Sequence, residues 1–278
     1  MLAASSPRVS EVIGMRIDGP VVVAVDGTER SVRTLRWGIE AAVQRRARLV
    51  VAHVAAPAVG PWTWAGAPAV PADDDALVGE LRQVCTRVAR AHPDLDVTAV
   101  LLHGSTVPAL TEYTRDAQLL VTGRRGAPPA TLTVGTALSW RARCPVAIVR
   151  EDLVTSGPVV VGVDETPGSW FAAGLAAREA RHRGVPLHVL HARRPHDDDA
   201  GRRTALDVAA DLAETYPDLP VRSFLSDGDP VRALVEASRT AGLLVVGSRQ
   251  VRGWRRLVGR RVARLASCPV LVVRDETP

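Results

Sequence analysis

The chain has 278 residues, a formal net charge of +5, and is 46% hydrophobic and 23% charged. That composition excludes a disordered chain and allows one large domain or two of about 140 residues each. All 35 basic residues are arginine, which excludes both a Schiff-base lysine and the lysine-bearing G-x-x-x-x-G-K-[ST] phosphate loop.

The opening stretch MLAASSPRVSEV lacks a basic segment followed by an apolar core. Residues 1–19 are therefore read as an N-terminal extension, and a cytoplasmic protein is expected. Short apolar runs then alternate with amphipathic stretches. Strands are expected at 20–25, 49–54, 96–102, 118–122 and 145–149, several of them nearly continuous Val, Leu and Ala, as in strands buried on both faces. Between the first two strands, Val32, Leu35, Ile39 and Val43 recur at helical spacing and predict the buried stripe of a helix. Ser31 sits where a cap or first turn falls. Cys85 lies on the apolar stripe of LVGELRQVCTRVAR. No apolar run approaches the roughly 18 residues of a membrane span.

Beyond EDLVTSG, read as a linker at 151–157, the chain repeats itself. VVVAVDGTERS (21–31) returns as VVVGVDETPGS (159–169), LLVTG (119–123) as LLVVG (243–247), and RCPVAIVR (143–150) as SCPVLVVR (267–274). His53 and His191 occupy equivalent places. Strands are expected again at 159–163, 187–191, 220–225, 243–246 and 269–273, with Phe171, Leu175 and Ala180 marking the helix that matches the first one. Two copies of one domain, 20–150 and 158–274, followed by a tail at 275–278, fit this pattern. Strand–helix alternation argues for a parallel sheet with helices on both faces.

Ligands of such sheets bind beyond the carboxyl ends of the strands. There the first copy carries Asp26-Gly27-Thr28 and, after its fourth strand, Gly123-Arg124-Arg125-Gly126. Glycine in such a turn brings backbone N–H groups close to phosphate oxygens. A helix beginning near Thr133 points its positive end to the same place, with the Thr136 hydroxyl beside it. Post-strand glycines also occur where no nucleotide binds, so spacing alone leaves this open.

The D-G-[ST] strand end, the later G-x-x-G and G-[ST], and the C-P-V-x-V-V strand resemble the universal stress protein family, and the doubled chain is similar to its tandem actinobacterial members. The resemblance covers nearly the whole chain. It implies two doubly wound, flavodoxin-like (adenine nucleotide alpha hydrolase-like) domains of five strands each, in the order 3-2-1-4-5, that commonly pair through their last strands. It also implies ATP, with any Mg2+ carried by the nucleotide. Asp26 and Val54 would hold the adenosine, and Gly123, Gly126, Gly135 and Thr136 the phosphates, with Gly27 and Thr28 beside Asp26 among the cofactor-binding residues. The family's G-x2-G-x9-G-[ST] is shortened here, since Gly126 and Gly135 enclose only the eight residues APPATLTV, and Pro128 and Pro129 donate no N–H. The second copy departs further. Asp164, Gly247 and Gly259 remain, but Glu165 replaces a glycine, Gln250 another, and Arg260 the hydroxyl residue.

Other candidates are weaker. His53 and His191 read as pocket walls or structural groups. His196 with Asp197, Asp198 and Asp199 reads as a solvated connection, because consecutive residues rarely converge on one ion. Cys144 and Cys268 read as buried packing groups, and the three cysteines are too scattered for a disulfide framework or zinc knuckle. Trp62 and Trp64, in a loop with no counterpart in the second copy, suit a lid or a protein contact. The arginine run 249–264 suits a nucleotide or partner better than nucleic acid, since Trp254 is its one aromatic residue. The sequence predicts a stress-response protein that binds an adenine nucleotide, mainly in the first domain, as a sensor or regulator. It leaves open an interaction module acting through its surfaces, as a homodimer or with an unidentified protein, and a slow ATP hydrolase. No catalytic residue and no metal ligand is assigned.

Overall fold

The structure is a computed structural model that describes residues 18–55, 74–124, 133–150, 156–193, 200–248 and 255–274. In the first copy, β1 (Val21–Val25), α1 (Ser31–Arg45), β2 (Leu49–Ala55), α2 (Asp74–Ala91), β3 (Val97–His103), α3 (Thr106–Tyr113), β4 (Leu119–Gly123), α4 (Val134–Arg141) and β5 (Val146–Val149) follow one another. Their strand order is β3-β2-β1-β4-β5. The second copy repeats the series: β6 (Val159–Gly162), α5 (Pro167–Arg183), β7 (Leu187–Arg193), α6 (Ala200–Thr215), β8 (Val221–Asp227), α7 (Pro230–Ala237), β9 (Leu243–Ser248), α8 (Arg255–Leu265) and β10 (Val270–Arg274). Its order is β8-β7-β6-β9-β10. Both are the doubly wound arrangement expected from the sequence, and the strand boundaries fall within two residues of those read from the apolar runs.

Parallel pairing is set by register. Val21 to Val25 of β1 lie opposite Leu49 to His53 of β2, while Val21 to Ala24 lie opposite Leu119 to Thr122 of β4. In the second copy, Val159 to Gly162 of β6 lie between Leu187 to Leu190 of β7 and Leu243 to Val246 of β9. The central strands are buried on both faces, which explains their continuous apolar sequences. The outer strands β3 and β8 expose part of their length, including Phe224 and Leu225.

The first helix turns a different face inward from the one its large residues suggest. Val32 and Val43 are 58% and 47% exposed, whereas Thr34, Trp37, Gly38, Ala41 and Ala42 are buried. Small residues win because the helix lies so close to the sheet. A Cβ on Gly38 would stand 2.1 Å from Val23 Cγ2. Helix α5 does the same: Ala172, Ala173, Ala176, Ala177 and Ala180 are fully buried, and Phe171 and Leu175 only half-buried.

Both helices end in a left-handed residue that returns two N–H···O bonds to the last turn, but the residue types differ. Arg46 has φ 51°, and Gly184, its equivalent, has φ 63°. An L side chain in this region is strained, whereas glycine is not. Replacing Arg46 with Gly is expected to stabilise the protein by about 0.5–1 kcal/mol, and Gly184→Ala to destabilise it by about 1 kcal/mol. Urea denaturation of the two variants checks both signs.

Candidate functional site

The carboxyl ends of β1, β2 and β4 meet where the strand order reverses, and the chain leaving β1 there makes a closed turn. Gly27 has φ 76°, a left-handed value that suits glycine. One carboxylate oxygen organises the turn. Asp26 Oδ1 accepts from Thr28 N–H (3.1 Å), the Thr28 hydroxyl (2.6 Å) and the Ser31 hydroxyl (2.6 Å), and Ser31 Oγ accepts in return from Asp26 N–H (3.0 Å). Ser31 is the first residue of α1, so the helix start and the strand end are tied directly. Asp26, Gly27 and Thr28 are exposed.

The second copy preserves half of this turn. Asp164 Oδ1 accepts from Thr166 N–H (3.0 Å) and from the Thr166 hydroxyl. Ser169, however, turns its hydroxyl to the backbone carbonyls of Asp164 (2.5 Å) and Thr166 (2.9 Å). Asp164 is half-buried and Glu165, in the place of Gly27, is exposed.

Histidine closes each second strand in the same manner. His53 lies opposite Val25 in register, and its Nδ1 donates to the Val25 carbonyl at 2.9 Å. His191 Nδ1 donates to the Val163 carbonyl at 3.0 Å. Their surroundings differ. His53 is half-buried, whereas His191 is 5% exposed and its Nε2 is buried without a hydrogen-bond partner. The first turn of α6 covers it: a Cβ on Gly201 would lie 2.2 Å from His191 Nε2 and 3.1 Å from Glu165 Oε1. Val54, next to His53, is half-buried opposite Leu102 of β3.

At the other side of the site, the expected phosphate residues serve the fold. A Cβ on Gly123 would meet Thr34 Oγ1 of α1 at 2.7 Å, and one on Gly247 would meet the Gly168 carbonyl of α5 at 3.0 Å. These glycines let a helix approach the sheet. Gly135 and Thr136 lie buried in the first turn of α4. Thr133 N–H donates to Thr136 Oγ1 (2.9 Å), Thr136 N–H donates to Thr133 Oγ1 (3.2 Å), and Thr136 Oγ1 reaches the Thr133 carbonyl (2.9 Å). The Thr136 hydroxyl thus belongs to a capping box. Gly259 is buried in α8, where Arg260 and Arg261 are exposed. Gly126, Arg125, the two prolines, Trp62, Trp64, His196 with its three aspartates, and residues 249–254 lie outside the described residues. Arg124 is half-buried.

Asp26, Gly27, Thr28, His53 and Val54 are therefore gathered at one edge. Gly123 borders β1 through β4, and Asp164, Gly247 and Gly259 repeat the layout in the second copy. Sequence reading passed over Ser31 as the partner of Asp26, Thr133 as the cap of α4, and Gly201 as the cover of His191. The first carried a signal, since D-x-T-x-x-S recurs as DGTERS and DETPGS. Among the described residues no group of three or more His, Cys, Asp or Glu is placed to hold a metal ion, and no helix is long and apolar enough to cross a membrane.

Cys85, Cys144 and Cys268 are buried thiols outside any disulfide. Burial pushes the Cys268 thiol up to about 12, which holds it in the unreactive protonated form at neutral pH. Labelling of Cys268 by a thiolate-specific reagent at pH 8 is expected to be on the order of a thousandfold slower in the native protein than in denaturant. Mass spectrometry of the labelled peptide checks this.

Fold and site together define a twice-repeated, doubly wound α/β protein with a carboxylate turn at each switch point. The model of the Universal stress protein family matches residues 19–150 and again 156–274, and the chain belongs to that family as a tandem member. A universal stress protein of Mycobacterium tuberculosis is 32% identical over 92% of this chain and 97% of its own length. A second from the same species is 30% identical over 92% and 96%. The crystal structure of a universal stress protein from Archaeoglobus fulgidus aligns with a TM-score of 0.72 at 18% identity, covering 93% of this chain and 97% of that one, a likeness of fold.

Proposed function

We propose that the chain is a cytoplasmic stress-response protein that binds ATP in its first domain and acts through the bound state. The observation that carries this reading is the Asp26 turn, in which two hydroxyls and a backbone N–H hold one carboxylate oxygen at the exposed switch point of the sheet. A carboxylate so fixed is a preorganised acceptor for ribose or base donors. In this reading Asp26, Gly27, Thr28 and Val54 hold the adenosine. The phosphates, with any Mg2+ they carry, lie over the start of α4, against Gly123, Gly126, Gly135 and Thr136. The N–H groups of the first turn left over by the Thr133 cap supply the donors there. In the second domain Asp164, Gly247 and Gly259 hold the same positions, but Glu165 adds a negative charge and α6 covers His191. One nucleotide per chain is therefore the expected load. The domain limits 20–150 and 158–274 belong to the same reading.

A second reading, an interaction module without a nucleotide, is favoured by one specific finding. Gly123, Gly247 and Thr136, the residues that look most like a phosphate cradle, all have structural duties.

Denaturing gently purified protein and separating the released bases distinguishes the two. About one adenine nucleotide per chain is expected, and Asp26→Ala should weaken ATP binding by about 10- to 100-fold in calorimetry, the worth of hydrogen bonds to a charged acceptor. No released nucleotide, together with no ATP heat up to millimolar concentration, would move the assignment to the interaction module.

A further inference from the structure

The two outer strands are not equally covered. Among the described residues β8 pairs with β7 alone, in unbroken register from Leu187 opposite Val221 to Arg193 opposite Asp227. Leu187 N–H donates to the Pro220 carbonyl at 2.9 Å, which sets the phase of the ladder. Backbone groups of successive strand residues point to alternate sides, so Arg222, Phe224 and Ser226 address β7. Val221, Ser223 and Leu225 turn their N–H and C=O groups the other way, where no described strand meets them. Residues 222–225 are all exposed, Phe224 by 41% and Leu225 by 49%. These two lie on opposite faces, so neither face is fully covered at the middle of the strand. In β3 the equivalent Val100 and Leu101 are half-buried. Edges that stay single are shortened, bulged, or guarded by proline or lysine. β8 keeps seven residues, VRSFLSD, with neither guard, and its two charges stand toward its ends.

We propose that β8 is the pairing edge of a homodimer, to which a second copy of this chain adds its own β8 antiparallel across a two-fold axis. The inference is independent of the nucleotide reading. The occupant follows from the strand itself, which is complementary to its own reverse. An axis normal to the sheet keeps each face on its own side, and full overlap of 221–227 brings the middle residue, Phe224, opposite its own copy. Val221 then faces Asp227 of the second copy and Ser223 faces Leu225, so the outward backbone groups bond. Phe224 falls at a non-hydrogen-bonded position, where side chains approach most closely. The His188 ring of β7, 4.6 Å from that of Phe224, steadies it there. Arg222 faces Ser226 and lies diagonal to Phe224 of the second copy, within reach of its ring face. No like charges stand opposite one another.

Sedimentation equilibrium of the full chain is expected to give twice the chain mass at about 100 μM, with a Kd on the order of micromolar. Ser223→Pro removes an outward N–H and leaves the β7 ladder whole, so it should weaken the dimer at least about tenfold. Phe224→Cys sets two thiols opposite each other at a Cα separation of about 4.5 Å, and diamide should link the copies. Arg222→Cys leaves its thiols on the order of 14 Å apart and should not link. The natural cysteines are buried and stay out of this chemistry. The linking pair reads the register even if Ser223→Pro does not fold. A wild type that stays monomeric at that concentration overturns the second copy as the occupant and leaves the edge to a strand of another protein. A dimer that a folded Ser223→Pro leaves intact, or that links through Arg222→Cys as readily as through Phe224→Cys, overturns the β8 edge and moves the interface elsewhere.

Discussion

The close approach of one helix to the sheet is the constraint from which the rest of each domain follows. In the first copy α1 lies against β1 so closely that Gly38 leaves no room for a Cβ beside Val23, and against β4 so closely that Gly123 leaves none beside Thr34. In the second copy a Cβ on Gly247 would meet the Gly168 carbonyl of α5. Interiors packed to this density tolerate neither a void nor an added methyl. The position of α1 along β1 is thereby fixed, and so is its first residue, Ser31. From there the Ser31 hydroxyl reaches back to Asp26. The Asp26 turn is thus held from two sides, by its own backbone and by a helix whose place is set in the core.

This dependence explains what sequence reading recovered and what it did not. The strands were legible because strands buried on both faces in a parallel sheet must be apolar throughout, as VVVAV and LLVTG are. The doubling was legible because the turn after the first strand kept its aspartate, threonine and serine in both copies. The inward face of α1 was not legible. A search for large apolar residues at helical spacing finds Val32 and Val43, which face outward, and passes over the glycine and alanines that make contact. Periodicity measures hydrophobicity, whereas this interface selects for small size.

The glycines after the fourth strands show a second limit. A glycine that admits a phosphate and a glycine that admits a helix have the same letter, and both belong at the end of a strand. Only the neighbours of the missing Cβ separate them, and at Gly123 and Gly247 those neighbours are protein atoms. The same holds for Thr136, whose hydroxyl sits at the right helix end to meet an anion but completes the cap with Thr133. Residues that pack a helix in this way are thus available to an anion only through their backbone.

At the ends of β2 and β7 the two copies have kept one bond and changed its surroundings. The histidine-to-carbonyl contact is nearly the same length in both, because it is made within the sheet, where register leaves little freedom. The connection that follows differs in length: residues 56–73 separate β2 from α2, whereas 194–199 separate β7 from α6, and the first turn of α6 rests on His191 with Gly201 allowing the contact. Loop length is free to vary at small thermodynamic cost, and it differs between the copies at the strand end where the histidines stand. The sheet preserves the histidine contact in both halves, while the connection that follows it has diverged.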